Sequence, residues 1–91
     1  MGEARRELLI VNKRGLHARA SAKFVAAVAG IEGCSVEVTK DGHRASGGSI
    51  LGLMMLGAAK GDTIELIVTG DDAEQRMEEL AAMIENGFGE D

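Results

Sequence analysis

His17 and Arg19 stand two residues apart in the stretch Gly15-Leu16-His17-Ala18-Arg19, and their types and spacing suit chemistry on phosphate. An imidazole offers a nitrogen lone pair near neutral pH. A phosphoryl group on that nitrogen is labile, which suits passing the group on rather than keeping it. Arg19 adds a permanent charge on a planar fork that matches phosphate oxygens. The stretch joins an apolar run, Leu8–Val11, to a run with helical spacing, Ala18–Ala29, so His17 falls where a helix begins. Ser, Thr, Asp or Asn is the usual residue there. A histidine in that place meets the unpaired N–H groups of Ala18 and Arg19 and the positive end of the helix dipole. These can bind a phosphoryl dianion and favour the neutral ring. A lone histidine beside an arginine is also what an ordinary polar surface carries, and by residue type alone both readings stand.

Little else in the chain offers chemistry. It has no P-loop, no carboxylate pair and no clustered metal ligands, so neither a metal nor a cofactor is expected. The pattern points to a phosphoryl carrier that depends on its partners' catalytic machinery. Cys34 is the single cysteine, which rules out an intrachain disulfide and suits a structural thiol. His43 follows the Asp41-Gly42 turn and reads as solvent-exposed.

A second feature lies at Ser49-Ile50-Leu51-Gly52-Leu53-Met54. Ser49 is placed to cap a short helix over Ile50–Leu56, and its hydroxyl is also a candidate phosphorylation site. This helix is apolar nearly all round, yet a two-turn helix on a sheet buries about one stripe. Leu53 and Leu56 are spaced to face the sheet. Two or three of the remaining apolar residues should stay exposed, and exposed Ile and Met suit a docking surface beside the cations of residues 13–23, Lys23 among them.

These features need elements to hold them. Ninety-one residues suit one domain over 1–91, with a core over about residues 6–86. Proline is absent, and glycines mark the turns. Strands are expected at Leu8–Val11, Ser35–Thr39, His43–Ser46 and Thr63–Thr69, the last central in its sheet. On Ala18–Ala29 the apolar stripe reads as Ala22, Val25, Ala26 and Ala29. A closing helix carries Ala73, Met77, Leu80, Ala81 and Ile84 on one side. The order β-α-β-β-α-β-α predicts a two-layer α/β sandwich, a four-stranded, mainly antiparallel sheet with three helices on one face. Gly87–Asp91 is expected to be a frayed acidic tail.

Composition narrows the function classes. Net charge is −5, and Phe24 and Phe88 are the only aromatics, which argues against nucleic-acid binding. Charge is segregated: the chain up to Lys23 carries six cations against Glu3 and Glu7, whereas Asp62 onward carries ten acids and Arg76. The N-terminal residues lack an apolar signal core and no stretch is long enough to span a bilayer, so a cytoplasmic location is expected. Two other α/β classes fit the size. An ACT-like ligand-binding regulatory domain would leave His17 incidental, and an acylphosphatase-like enzyme would need a phosphate cradle beyond the helix start.

Residues 6–86 resemble HPr, the histidine-containing phosphocarrier of the phosphoenolpyruvate-dependent phosphotransferase system. The resemblance rests on Gly15-Leu16-His17-Ala18-Arg19, on Ser49-Ile50-Leu51-Gly52-Leu53-Met54 and on the order of elements around them. It implies the HPr open-faced β-sandwich and phosphorylation of His17 through Nδ1. Enzyme I would be the donor, enzyme II A-type proteins the acceptors, and Arg19 the partner of the phosphate. It also implies that Ser49 matches the regulatory serine modified by HPr kinase/phosphorylase in some bacteria. Ile50, Leu51 and Met54 would form the docking patch of a monomer. The family usually has proline directly after the arginine. Here Ala20 stands there, a strong helix former, and no chemical group is lost. That departure leaves two branches open, sugar-transport HPr and its nitrogen-related paralogue NPr.

Overall fold

The computed structural model describes residues 2–90. Strands β1 (Gly2–Leu9), β2 (Cys34–Lys40), β3 (His43–Ser46) and β4 (Thr63–Gly70) are interspersed with helices α1 (Ala18–Ala29), α2 (Ile50–Met55) and α3 (Ala73–Glu85). A 3-10 turn over Gly87–Gly89 follows. The order β1-α1-β2-β3-α2-β4-α3 is the expected one. The strands form one sheet in the order β1-β4-β2-β3 with every neighbouring pair antiparallel, and the helices pack on one face of it.

β4 is central, as its apolar run requires. Ile64, Leu66 and Val68 face the helices, while Ile67 is buried on the other side between its cross-strand partners Arg5 and Glu37. Long side chains at such positions can shield an apolar residue without an added layer. No helix among the described residues is long and apolar enough to cross a membrane.

Three expectations need correction. β1 spans Gly2–Leu9 rather than Leu8–Val11. Ala4 and Leu8 do point inward, but Arg6 shares their face and hides the alternation. Its guanidinium reaches the Glu78 carboxylate of α3 at 2.9 Å instead of entering the core. On α1 the buried residues are Ala20, Ser21 and Phe24, while Ala22, Ala26 and Ala29 are exposed. One phenylalanine outweighs several alanines in apolar area. Ser21 can join the core because its hydroxyl donates to the Leu16 carbonyl at 3.2 Å. Residues 87–90 do not fray. Gly87, Phe88 and Glu90 fold back on the site described next, with Phe88 buried in the core; Asp91 lies outside the described residues.

One glycine sets the position of the β1–α1 connection. Gly15 has φ +62°, and a Cβ there would lie 2.2 Å from the Ala58 carbonyl oxygen. That same oxygen accepts the Leu16 N–H at 2.9 Å. Ile10 pairs with the same neighbouring loop, donating to Asp62 and accepting from Gly61. The connection is thus hydrogen-bonded along much of its length before it delivers His17 to α1.

Candidate functional site

His17 is the N-cap of α1, with extended backbone (φ −76°, ψ 179°). Its carbonyl accepts the Ser21 N–H at 2.9 Å and so closes the first helical turn. Its ring nitrogen Nδ1 accepts the Arg19 N–H at 3.2 Å, the task a Ser or Asp oxygen performs at other caps. A nitrogen that accepts carries a lone pair, so the ring proton of the neutral imidazole sits on Nε2. Nε2 faces the Glu90 carboxylate, 2.8 Å from Oε2 and 3.0 Å from Oε1. The two contacts select the same tautomer from opposite sides of the ring.

Glu90 arrives there by an unusual backbone path. Gly87, Phe88 and Gly89 are all left-handed, at φ +63°, +58° and +74°. For phenylalanine that conformation costs about 1–2 kcal/mol, offset by burying its ring in the core. Lys23 Nζ donates to the Phe88 carbonyl at 3.0 Å. The buried Asn12 donates through Nδ2 to Glu90 Oε1 at 3.0 Å and to the Gly15 carbonyl at 2.8 Å. The hydrogen bond from His17 holds the Glu90 carboxyl below its ordinary value; Asn12 and the charge of Lys23 act in the same sense, against partial burial.

Around His17 opens a cleft of about 410 Å³ bordered by Lys13, Arg14, Arg19, Lys23 and Glu90. Four cations against one carboxylate make it a setting for a dianion. The Arg19 side chain is exposed and forms no ion pair among the described residues. The Ala18 N–H lies at the helix start, without an intrahelical acceptor. The Arg19 N–H is occupied by His17 itself, a difference from the free donor expected there. A group bonded to Nδ1 would displace that contact and leave the N–H for its own oxygens. Among the described residues no cluster of three or more His, Cys, Asp or Glu side chains could hold a metal.

α2 packs beside α1. Ser49 caps it, its Oγ accepting the Gly52 N–H at 2.9 Å. Leu53 and Leu56 are buried, and Ile50, Leu51 and Met54 are exposed. Met55, which the sequence pattern did not single out, is the most exposed of the helix at 77%. Asn12 and Glu90 were missed as well. Asn12 sits in a stretch that reads as a plain turn, and Glu90 is one acid among many, so neither carried a signal. Lys23, expected on the docking surface, is partly committed to holding Phe88. His43 is exposed at the start of β3, away from these residues.

Comparison with known proteins matches residues 4–86 to the PTS-HPr family, described as the PTS HPr component phosphorylation site. The chain is 49% identical over 81 residues to the phosphocarrier protein HPr of Neisseria meningitidis serogroup A, covering 89% of this chain and 90% of that protein. It is 36% identical over 90 residues to the phosphocarrier protein NPr of Shewanella violacea, covering 99% and 98% respectively. Among solved structures, HPr-C-His from Thermoanaerobacter tengcongensis superposes with a TM-score of 0.87 at 37% identity, covering 100% of this chain and 99% of that one.

Proposed function

The chain belongs to the HPr family of phosphocarrier proteins, and from that premise we propose that His17 is its phosphoryl acceptor, bonded through Nδ1. The observation that carries the reading is the His17 ring itself. Its Nδ1 bears a lone pair at the positive end of α1, in a cleft bordered by four cations. Nδ1 attacks the phosphorus as the donor–phosphorus bond breaks, and no proton need leave the ring. Arg19 pairs with the phosphoryl oxygens through its guanidinium, and the N–H groups of Ala18 and Arg19 receive them at the helix start.

Enzyme I is the donor in this reading and enzyme II A-type proteins are the acceptors, meeting the chain over Ile50, Leu51, Met54 and the cations around Lys23. The protein acts as a monomer in the cytoplasm, in sugar transport. Ser49 serves as regulatory serine for an HPr kinase/phosphorylase: a phosphate there would extend the capping interaction yet place negative charge beside the docking patch. The nitrogen branch is the second reading, supported by the NPr relative across nearly the whole chain. The higher identity to HPr relatives favours the first.

The test is incubation with phosphoenolpyruvate, Mg²⁺ and enzyme I, read by intact-protein mass. The wild type gains one acid-labile phosphoryl group and His17→Ala gains none. No gain by the folded wild type from either a sugar-type or a nitrogen-type enzyme I would reject the reading in favour of a ligand-binding domain.

A further inference from the structure

We infer that Glu90 is a positioning residue for phosphoryl transfer, holding the Nε2 proton of His17 and offsetting the charge that the ring acquires when Nδ1 is phosphorylated. This rests on the reading of His17 given above. The neutral imidazole attacks with its Nδ1 lone pair, so the new N–P bond leaves the ring with a proton on Nε2 and a positive charge. On transfer to an acceptor the N–P bond breaks, its electron pair returns to Nδ1, and the ring is neutral again. The group best placed to answer this gain and loss of charge is the one facing Nε2. That group is Glu90, at 2.8 Å.

Three observations separate this contact from a chance surface pair. Both partners are mostly buried, their side chains 15% and 18% exposed. The carboxylate is held by a second buried donor, Asn12 Nδ2, which is anchored at the same time to the Gly15 carbonyl of the connection that carries His17. The turn delivering Glu90 contains a phenylalanine in the left-handed region, seated in the core and tied to α1 through Lys23. The arrangement follows the logic in which a carboxylate fixes the tautomer of a histidine and stabilises its cation without taking its proton. The opposite interaction would be obstruction, with Glu90 lowering the positive field of Lys13, Arg14, Arg19 and Lys23 and repelling an incoming phosphoryl group. The two make opposite predictions.

The experiment compares wild type, Glu90→Gln, Glu90→Asp and His17→Ala in single-turnover phosphoryl uptake from phosphorylated enzyme I. The Nε2–H signal of ¹⁵N-labelled His17 is recorded alongside for the wild type and Glu90→Ala. Glu90→Gln keeps the shape and loses the charge, and uptake slows about tenfold. Glu90→Asp restores most of the rate. The Nε2–H signal, protected in the wild type, is lost to solvent exchange in Glu90→Ala. Uptake by Glu90→Gln at or above the wild-type rate would overturn the inference, and so would equal loss in Gln and Asp variants. Wild type that takes up no phosphoryl group, or a His17→Ala variant that still does, would instead sink the reading of His17.

Discussion

A carboxylate that is hydrogen-bonded in the folded chain and free in the unfolded one ties stability to pH. Glu90 against His17 and Glu78 against Arg6 are both held below their ordinary value of 4.5, in each case first by the hydrogen bond. A lowered folded-state value means that the contribution is complete above about 4.5 and is lost as pH falls through the folded value. The expected outcome is a local one: on acidification below 4.5, the Phe88 and Glu90 resonances shift and lose hydrogen-exchange protection before β4 does. Protection at 87–90 that persists until the whole sheet melts would contradict it. At this scale the sequence showed half of the candidate site. His17 and Arg19 are legible because a histidine takes a place where small oxygen-bearing residues are usual. Glu90 is not, because its meeting with His17 across 73 positions depends on a left-handed turn around a buried phenylalanine, which no local pattern announces.

Elements carry the site through one exacting position and one tolerant face. Gly15 combines a left-handed backbone with a close approach to the Ala58 carbonyl, so Gly15→Ala should cost about 2–5 kcal/mol, the sum of the left-handed and overpacking penalties. Urea denaturation checks this, and a loss under about 0.5 kcal/mol would mean that the connection moves freely to accommodate a side chain. On α2, Leu51 and Met55 are 68% and 77% exposed. Their replacement by Glu should change stability by less than about 0.5 kcal/mol yet raise the KM for phosphoryl uptake from enzyme I severalfold. An unchanged KM would remove this face from the docking surface. The bounds of α1, β3 and β4 were legible to within a residue because glycines and period changes frame them. The buried stripe of α1 was not. Counting alanines equally with Phe24 pointed to the wrong face, and only packing against α2 and α3 decides which face turns inward.

The whole molecule separates its charges. Of the ten acids from Asp62 onward, Glu74, Glu78, Glu79 and Glu85 lie on α3, which packs on β1 and β4. The cations Lys13, Arg14, Arg19 and Lys23 gather instead around the start of α1. A net charge of −5 thus coexists with a positive face around His17, a distribution that suits an acidic partner surface and a phosphoryl dianion. The fold class was legible as a whole because the order of elements admits few two-layer arrangements, and the antiparallel sheet with helices on one face is the one found. The central claim concerns one atom in this field, and nitrogen–phosphorus NMR of the ¹⁵N-histidine-labelled protein, phosphorylated by enzyme I, tests it most directly. The predicted result is phosphorus coupled to Nδ1 of His17, with the proton retained on Nε2. Phosphorus on Nε2, on His43 or on any other residue would contradict it.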